Sequence, residues 1–299
     1  MSKANGAVRW VALGLVLSVM PVLGGCAANA AKTKTPQTQE NKPLTAVKSP
    51  LKSNLLGLAE SGDIGAQYDL GLTLIETDPK AAAKWLERAA LQGQGSAAYE
   101  LGLMQDDARR AVEWLSMASA MGHVGAHYQL GEAYLYGRGT AKEPGWGLMW
   151  FERAARAGDG EAQYAMGVSM LSGVAGLVQR EEALVWLLIA KNNQRPGLDL
   201  LISALKSRMS SSTIETIDGR VSAWSHEAVS DKVGDRATLR FAQYALGRLG
   251  FKAGPSDGIP GERTERAIKA FRIDQGLGGG ALDGRMLYRL RERLAVMNR

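Results

Sequence analysis

The chain is short of the residues that most often carry chemistry. It holds one cysteine and three histidines in 299 residues. A single cysteine excludes an internal disulfide and a cysteine-based metal cluster. His123 and His127 stand four apart, but Gly122 and Gly125 beside them predict a helix break. They therefore do not form the two-histidine helix face that a zinc protease needs, and no HExxH pattern occurs. No serine sits in a nucleophile elbow, and no glycine loop has phosphate-binding spacing. Adjacent carboxylates such as Glu181 and Glu182 fit a solvated helix start. The expectation is no catalytic residue, no metal site and no resident cofactor. Aromatic residues make up only 6%, yet seven of them are tryptophan, which points to a repeated structural use.

What is present reads as a globular chain of one to three domains, 45% hydrophobic with a net charge of +6. Lys3 and Arg9 precede an uncharged run from Trp10 to Leu23. Its 14 residues are too few to cross about 30 Å of hydrocarbon comfortably. Residues 1–25 are thus laid out as a secretory signal peptide, the alternative being an uncleaved anchor. The only cysteine ends this segment. Leu23-Gly24-Gly25-Cys26 resembles the lipobox of bacterial lipoproteins. That resemblance implies a diacylglyceryl group on the Cys26 sulfur, cleavage before Cys26 and an acylated new amino terminus. The only non-protein group expected is this covalent lipid. Several acyl chains anchor stably where one does not. Ala27, in place of an aspartate, implies an outer-membrane, periplasm-facing destination. Residues 26–54 then carry Pro36, Pro43 and Pro50, no aromatic residue and no amphipathic period, and read as a disordered tether.

From Gly65 the chain repeats itself. "GAQYDLG", "SAAYELG", "GAHYQLG" and "EAQYAMG" begin at 65, 96, 125 and 161. Each is followed by a block with one tryptophan, at 85, 114, 150 and 186. Spacings of 29, 36 and 36 are those of stacked helix pairs. In the third pair Ala126, Leu130 and Tyr134 form one apolar stripe, and Gly131 permits close approach of another helix. Trp150 and Ala154 lie four apart, beside Phe151 and Ala155, so a large residue facing small ones lets adjacent pairs interdigitate. "GRGTAKEPG" supplies the turn within this pair, and the first two pairs lack most of it. Met104, Met117, Met121, Met149, Met166 and Met170 fit ordinary core positions better than an adaptable binding groove.

These blocks resemble Sel-like repeats, relatives of the tetratricopeptide repeat. The third matches best, through Ala126, Leu130, Gly131, Gly137, Gly139, Trp150, Ala154, Ala155 and Gly158. In the fourth, Lys191 replaces an alanine, so the array is expected to end near it. Residues 195–224 then read as a capping helix pair, with Ser210 to Ser212 offering N-cap hydroxyls and Glu215 able to complete a capping box with Ser212. The expectation for residues 55–228 is an α-solenoid with capping helices, carrying a net charge of −6. Such arrays imply a protein partner, which the residues do not name.

Past Asp231 the charge reverses, and residues 235–299 carry a net +6. Three short helices are expected, at about 238–249, 262–275 and 284–296. Their core is small for independent stability, so a ligand or tight packing must help. Gln243, Leu246, Gly250, Phe251, Asp257, Gly258, Gly261, Thr264, Ala267, Ile268, Phe271, Gly276, Leu277, Asp283 and Leu290 resemble the pattern of peptidoglycan-binding domains on cell-wall hydrolases. Pro260, Arg272 and Met286 depart from it. Asp257 and Gly258 are expected to set a turn, Thr264 to cap or pack, and Phe271 to be core. The polar rim of Asp257, Arg263, Arg266 and Arg272 is the expected ligand-binding set, because arginine forks grip carboxylates such as those of stem peptides.

Taken together, the fold class expected is all-α: a solenoid of helix pairs followed by a small three-helix domain. The function expected is a non-catalytic envelope lipoprotein, held to the membrane by lipid and to peptidoglycan by its C-terminal domain, with a protein partner on the repeats and no nucleic acid. The alternative is a scaffold or regulator of an envelope enzyme, in which the C-terminal domain binds protein instead of wall.

Overall fold

The structure, a computed structural model, describes residues 50–174, 178–227 and 234–297. Among them are fourteen helices and no strand, so the all-α expectation holds. The signal segment, Cys26 and the tether up to residue 49 lie outside the described residues. Helix α1 (Pro50–Glu60) begins within the stretch read as tether. Among the described residues no helix is long and apolar enough to cross a membrane.

Four helix pairs follow: α2 (Ile64–Leu74) with α3 (Pro79–Leu91), α4 (Gly95–Met104) with α5 (Ala108–Ala120), α6 (Val124–Tyr136) with α7 (Pro144–Arg156), and α8 (Gly160–Ser172) with α9 (Arg180–Asn192). Each helix packs on the next in sequence, which is the geometry of a solenoid. The starts are set by caps. Asp63, Asp107 and Asp159 accept from backbone amides of the first turn, and His123 does so through Nδ1. His123 is thus a cap, separated from His127 as the glycines predicted.

The glycine of each first helix meets the residue that follows the repeat's tryptophan. A Cβ on Gly71 would stand 2.6 Å from Leu86, one on Gly102 2.8 Å from Leu115, and one on Gly167 2.7 Å from Leu187. At Gly131 it would overlap the Phe151 ring. Real carbon contacts are 3.5–4.0 Å, about an ångström longer, so only glycine lets the paired helices approach this closely. Buried glutamines add a polar tie between repeats. Gln67 Nε2 donates to Ala59 O at 3.1 Å, and Gln163 Nε2 to Ala155 O at 3.0 Å. Each glutamine oxygen accepts in turn from the side chain that ends its own pair, Gln92 or Asn193, both at 2.8 Å. His127 fills the equivalent slot in the third repeat and stacks on Trp150 with centroids 5.3 Å apart.

The array closes with α10 (Asp199–Lys206) and α11 (Ser211–Ser222). Ile202, Leu205 and Ile217 join the core that holds Trp186. The cap comes from the first of the three expected serines, and only the capping box differs from expectation. Ser210, with extended backbone, accepts from the Thr213 amide, while Ser212 already lies inside the helix. The Ser212–Glu215 capping box therefore does not form.

The small domain comprises α12 (Arg236–Arg248), α13 (Glu262–Asp274) and α14 (Gly284–Met297), each within two residues of its expected bounds. Leu246, Phe271, Met286 and Leu290 are almost fully buried at its centre. The missing core is supplied from outside. Helix α12 packs along α7, and Met149 of the array is buried in the small domain's own cluster beside Trp146 and Trp150. The Trp146 and Phe241 rings meet edge to face at 4.9 Å. A Cβ on Gly145 would overlap the Tyr244 ring.

Charges flank this apolar seam. Arg291 grips Glu143 with two nitrogens at 2.6 and 2.7 Å. Arg153 reaches Asp235 at 2.9 Å and Thr238 at 3.1 Å. Burial opposes the Arg291 charge, but Glu143 outweighs it and holds that guanidinium above its ordinary pKa. Arg156 is raised in the same way, with Glu152 and Glu227 overcoming its burial.

Candidate functional site

The loop between α12 and α13 carries most of the residues that the sequence singles out. Its turn is built on Gln243 of α12. The Gln243 side-chain oxygen accepts from the Gly258 amide at 2.7 Å. Its nitrogen donates to Asp257 Oδ1 at 3.2 Å, Ile259 O at 2.9 Å and Thr264 Oγ1 at 3.1 Å. Thr264 Oγ1 donates onward to Ala253 O at 2.9 Å. One buried amide thus fixes both ends of the loop. Gly258 has a positive φ of 72°, and a Cβ there would stand 2.5 Å from Arg236 O, so the Asp-Gly turn needs glycine. Asp257 sets the turn as expected, its Oδ1 also accepting from the Ile259 amide at 2.9 Å. Thr264 packs, and Phe271 is core, 1% exposed, with its ring edge-to-face on Phe251.

Asp257, Arg263 and Arg266 line one open cavity of about 540 Å3, with Pro260 and Glu262 on its edge. Arg266 is exposed and only 3.9 Å from the equally exposed Glu262, a pair too solvated to fix either side chain. Arg263 has no ion-pair partner among the described residues. The rim therefore presents two arginine forks to solvent beside a rigid backbone turn, which suits an incoming carboxylate.

Arg272 lies apart from the other three. It is 3% exposed, and its guanidinium donates to the carbonyls of Leu277, Gly278, Gly279 and Ala281 and to Asp283 at 2.9 Å. It holds the glycine-rich turn between α13 and α14 closed. The Met286 amide, followed by Arg272, keeps the Asp283 carboxyl below the ordinary carboxylate range. The substitution of arginine into this slot is thus matched by a loop that turns four of its carbonyls toward it.

Two further cavities meet the same loop. One of about 350 Å3 lies between array and small domain, lined by Leu148, Met149, Met166, Met170, Phe241 and Tyr244. Another, of about 380 Å3, has Glu182, Arg220, Arg236 and Arg240 in its lining. Burial, and then the nearby Arg156 and Arg240 charges, draw Arg236 below its ordinary pKa against the pull of Glu152. Arg240 and Glu152 carry no signal in the sequence that separates them from surface charges. Gln243 belongs to the motif, but only the folded loop gives it a role. Among the described residues no group of three or more His, Cys, Asp or Glu is placed to hold a metal ion.

Comparison with known proteins agrees with this layout. The Sel1 repeat family matches residues 64–94, 95–123, 124–159 and 160–194. The putative peptidoglycan binding domain family matches residues 235–289. None of the curated proteins compared with the chain matches it. Among solved structures, a protective antigen present in uropathogenic Escherichia coli strains, displaying an SLR fold, is 22% identical with a TM-score of 0.51. The match covers 66% of this chain and 44% of that one, so it speaks to the fold. A Sel1 repeat protein from Oxalobacter formigenes is 23% identical over 56% of this chain and 76% of its own, with a TM-score of 0.48. The chain thus carries four Sel1 repeats followed by a domain of the putative peptidoglycan-binding family.

Proposed function

We propose that the chain is a non-catalytic lipoprotein of the cell envelope that grips peptidoglycan through its C-terminal rim while its repeats engage a protein partner. The observation that carries this reading is the rim itself: Asp257, Arg263 and Arg266 brought to one cavity within the segment that matches a peptidoglycan-binding family. Two solvent-facing arginines there suit the carboxylates of stem peptides. The lipid anchor on Cys26 and an outer-membrane, periplasm-facing location rest on the lipobox-like Leu23-Gly24-Gly25-Cys26. Arg272 is left out of the binding set, because its donors are spent on the loop around it.

Co-sedimentation of the full chain with purified sacculi tests the reading. Double charge reversal, Arg263→Glu with Arg266→Glu, is expected to weaken binding by at least about a hundredfold, about 1.4 kcal/mol or more per arginine. Unchanged sedimentation would instead favour the reading in which the small domain binds protein. Labelled fatty acid should be incorporated into the wild type and lost in Cys26→Ser; equal labelling of both would remove the anchor.

A further inference from the structure

We propose that Glu152 of the repeat array, acting through Arg240, positions the rim loop, so that the array sets the ligand affinity of the small domain docked on it. This rests on the rim being a peptidoglycan site. Glu152 lies on α7 and is 0% exposed. A carboxylate is almost never fully buried unless paired, and here it has two guanidinium partners. Arg156, four residues on, contributes Nη2 at 2.8 Å to Oε1. Arg240, from α12 of the other domain, brings Nε to 2.8 Å from Oε2, an ion-pair contact without hydrogen-bond alignment.

Arg240 uses the rest of its fork on the rim loop. Nη1 donates to Ser256 O at 3.3 Å, and Nη2 to Asp257 O at 3.2 Å. Nη2 also stands 3.7 Å from Glu182 Oε1 on α9. A guanidinium is planar and rigid, so fixing Nε on Glu152 fixes where the two outer nitrogens point. Those nitrogens hold the backbone of Asp257, whose side chain shapes the turn and lines the rim cavity. Position by position in the repeats, Glu152 aligns with Glu87, Ser116 and Leu188, each two residues past its tryptophan. Glu87 is exposed. Repeat packing therefore does not require a buried acid here; the partner that buries it is the small domain.

Glu152 and Arg240 are thus positioning residues, and the test needs a readout that general destabilisation does not move. In the full chain, Glu152→Gln keeps the side-chain shape and removes the charge. It should weaken sacculus binding about tenfold, the scale of one charge-assisted hydrogen bond, and should speed amide exchange at Gly258 and Ile259 by a similar factor. Arg240→Lys keeps a cation near Glu152 but loses the fork, and should do the same. Arg291→Gln breaks an ion pair across the same seam without touching the loop, and should leave both readouts within about twofold of wild type. Binding and exchange unchanged in Glu152→Gln, or lost equally in Arg291→Gln, would overturn the proposal. If the wild type does not bind sacculi, the wall reading fails instead, and loop exchange in the same variants still decides the positioning role.

Discussion

At the scale of single residues, the array carries charge that its fold resists. Glu100, on α4, has its carboxyl held above the ordinary range by burial alone. The folded state therefore binds this proton more tightly than the unfolded chain does. The ionised form opposes folding above the folded pKa, and the opposition fades as pH falls through that value and is gone below the ordinary one. Glu100→Gln should accordingly raise the melting temperature at neutral pH, with the gain shrinking as the solution is acidified toward the ordinary carboxylate range. Thermal unfolding of both proteins across that interval checks this. A gain of the same size at every pH would show that burial of the charge is not the cause. Such a residue is not legible in sequence, where Glu100 and the exposed Glu87 look alike. Gly131 is the opposite case. The sequence marks it as a point of close approach, and the structure adds only that Phe151 is what comes close.

At the scale of elements, the repeat periodicity and the glycine punctuation are enough to place the helix pairs and the three C-terminal helices, because each buries a stripe with helical spacing. The capping box failed because the chain turns into α11 one serine pair earlier than the motif suggests. What periodicity cannot carry is which face of α7 is covered by what. Met149 and Trp150 read as core of their own repeat, yet Met149 lies in the small domain's cluster, and Trp150 packs against that cluster as well as its own. Met149→Ala should therefore destabilise chiefly the small domain, by about 2–5 kcal/mol for a buried methionine cut to alanine. Amide exchange should accelerate in α12 and α14 and stay near wild type in α2 and α4. Acceleration confined to the array would mean that the small domain holds its core without α7.

At the scale of the whole molecule, the acidic array and the basic small domain are joined along one seam, with Glu143 and Glu152 facing Arg291 and Arg240. The seam is mostly apolar at its centre and charged at its edges, so it fixes orientation as well as contact. This places the rim loop beside the array instead of at the end of a free linker. Of the four rim residues expected from sequence, three converge on one cavity, and Arg272 is drawn inward by the carbonyls of its own turn. That difference was not legible, because an arginine in the last turn of a helix looks the same whether the following loop folds over it or not. The rim, held in this docked arrangement, is the surface we propose to meet the wall. Amide exchange of the full chain, with and without soluble peptidoglycan fragments, tests it most directly. Residues 256–266 should gain protection, with little change on α2, α4 and α6. Protection on those array helices with none in the loop would contradict it.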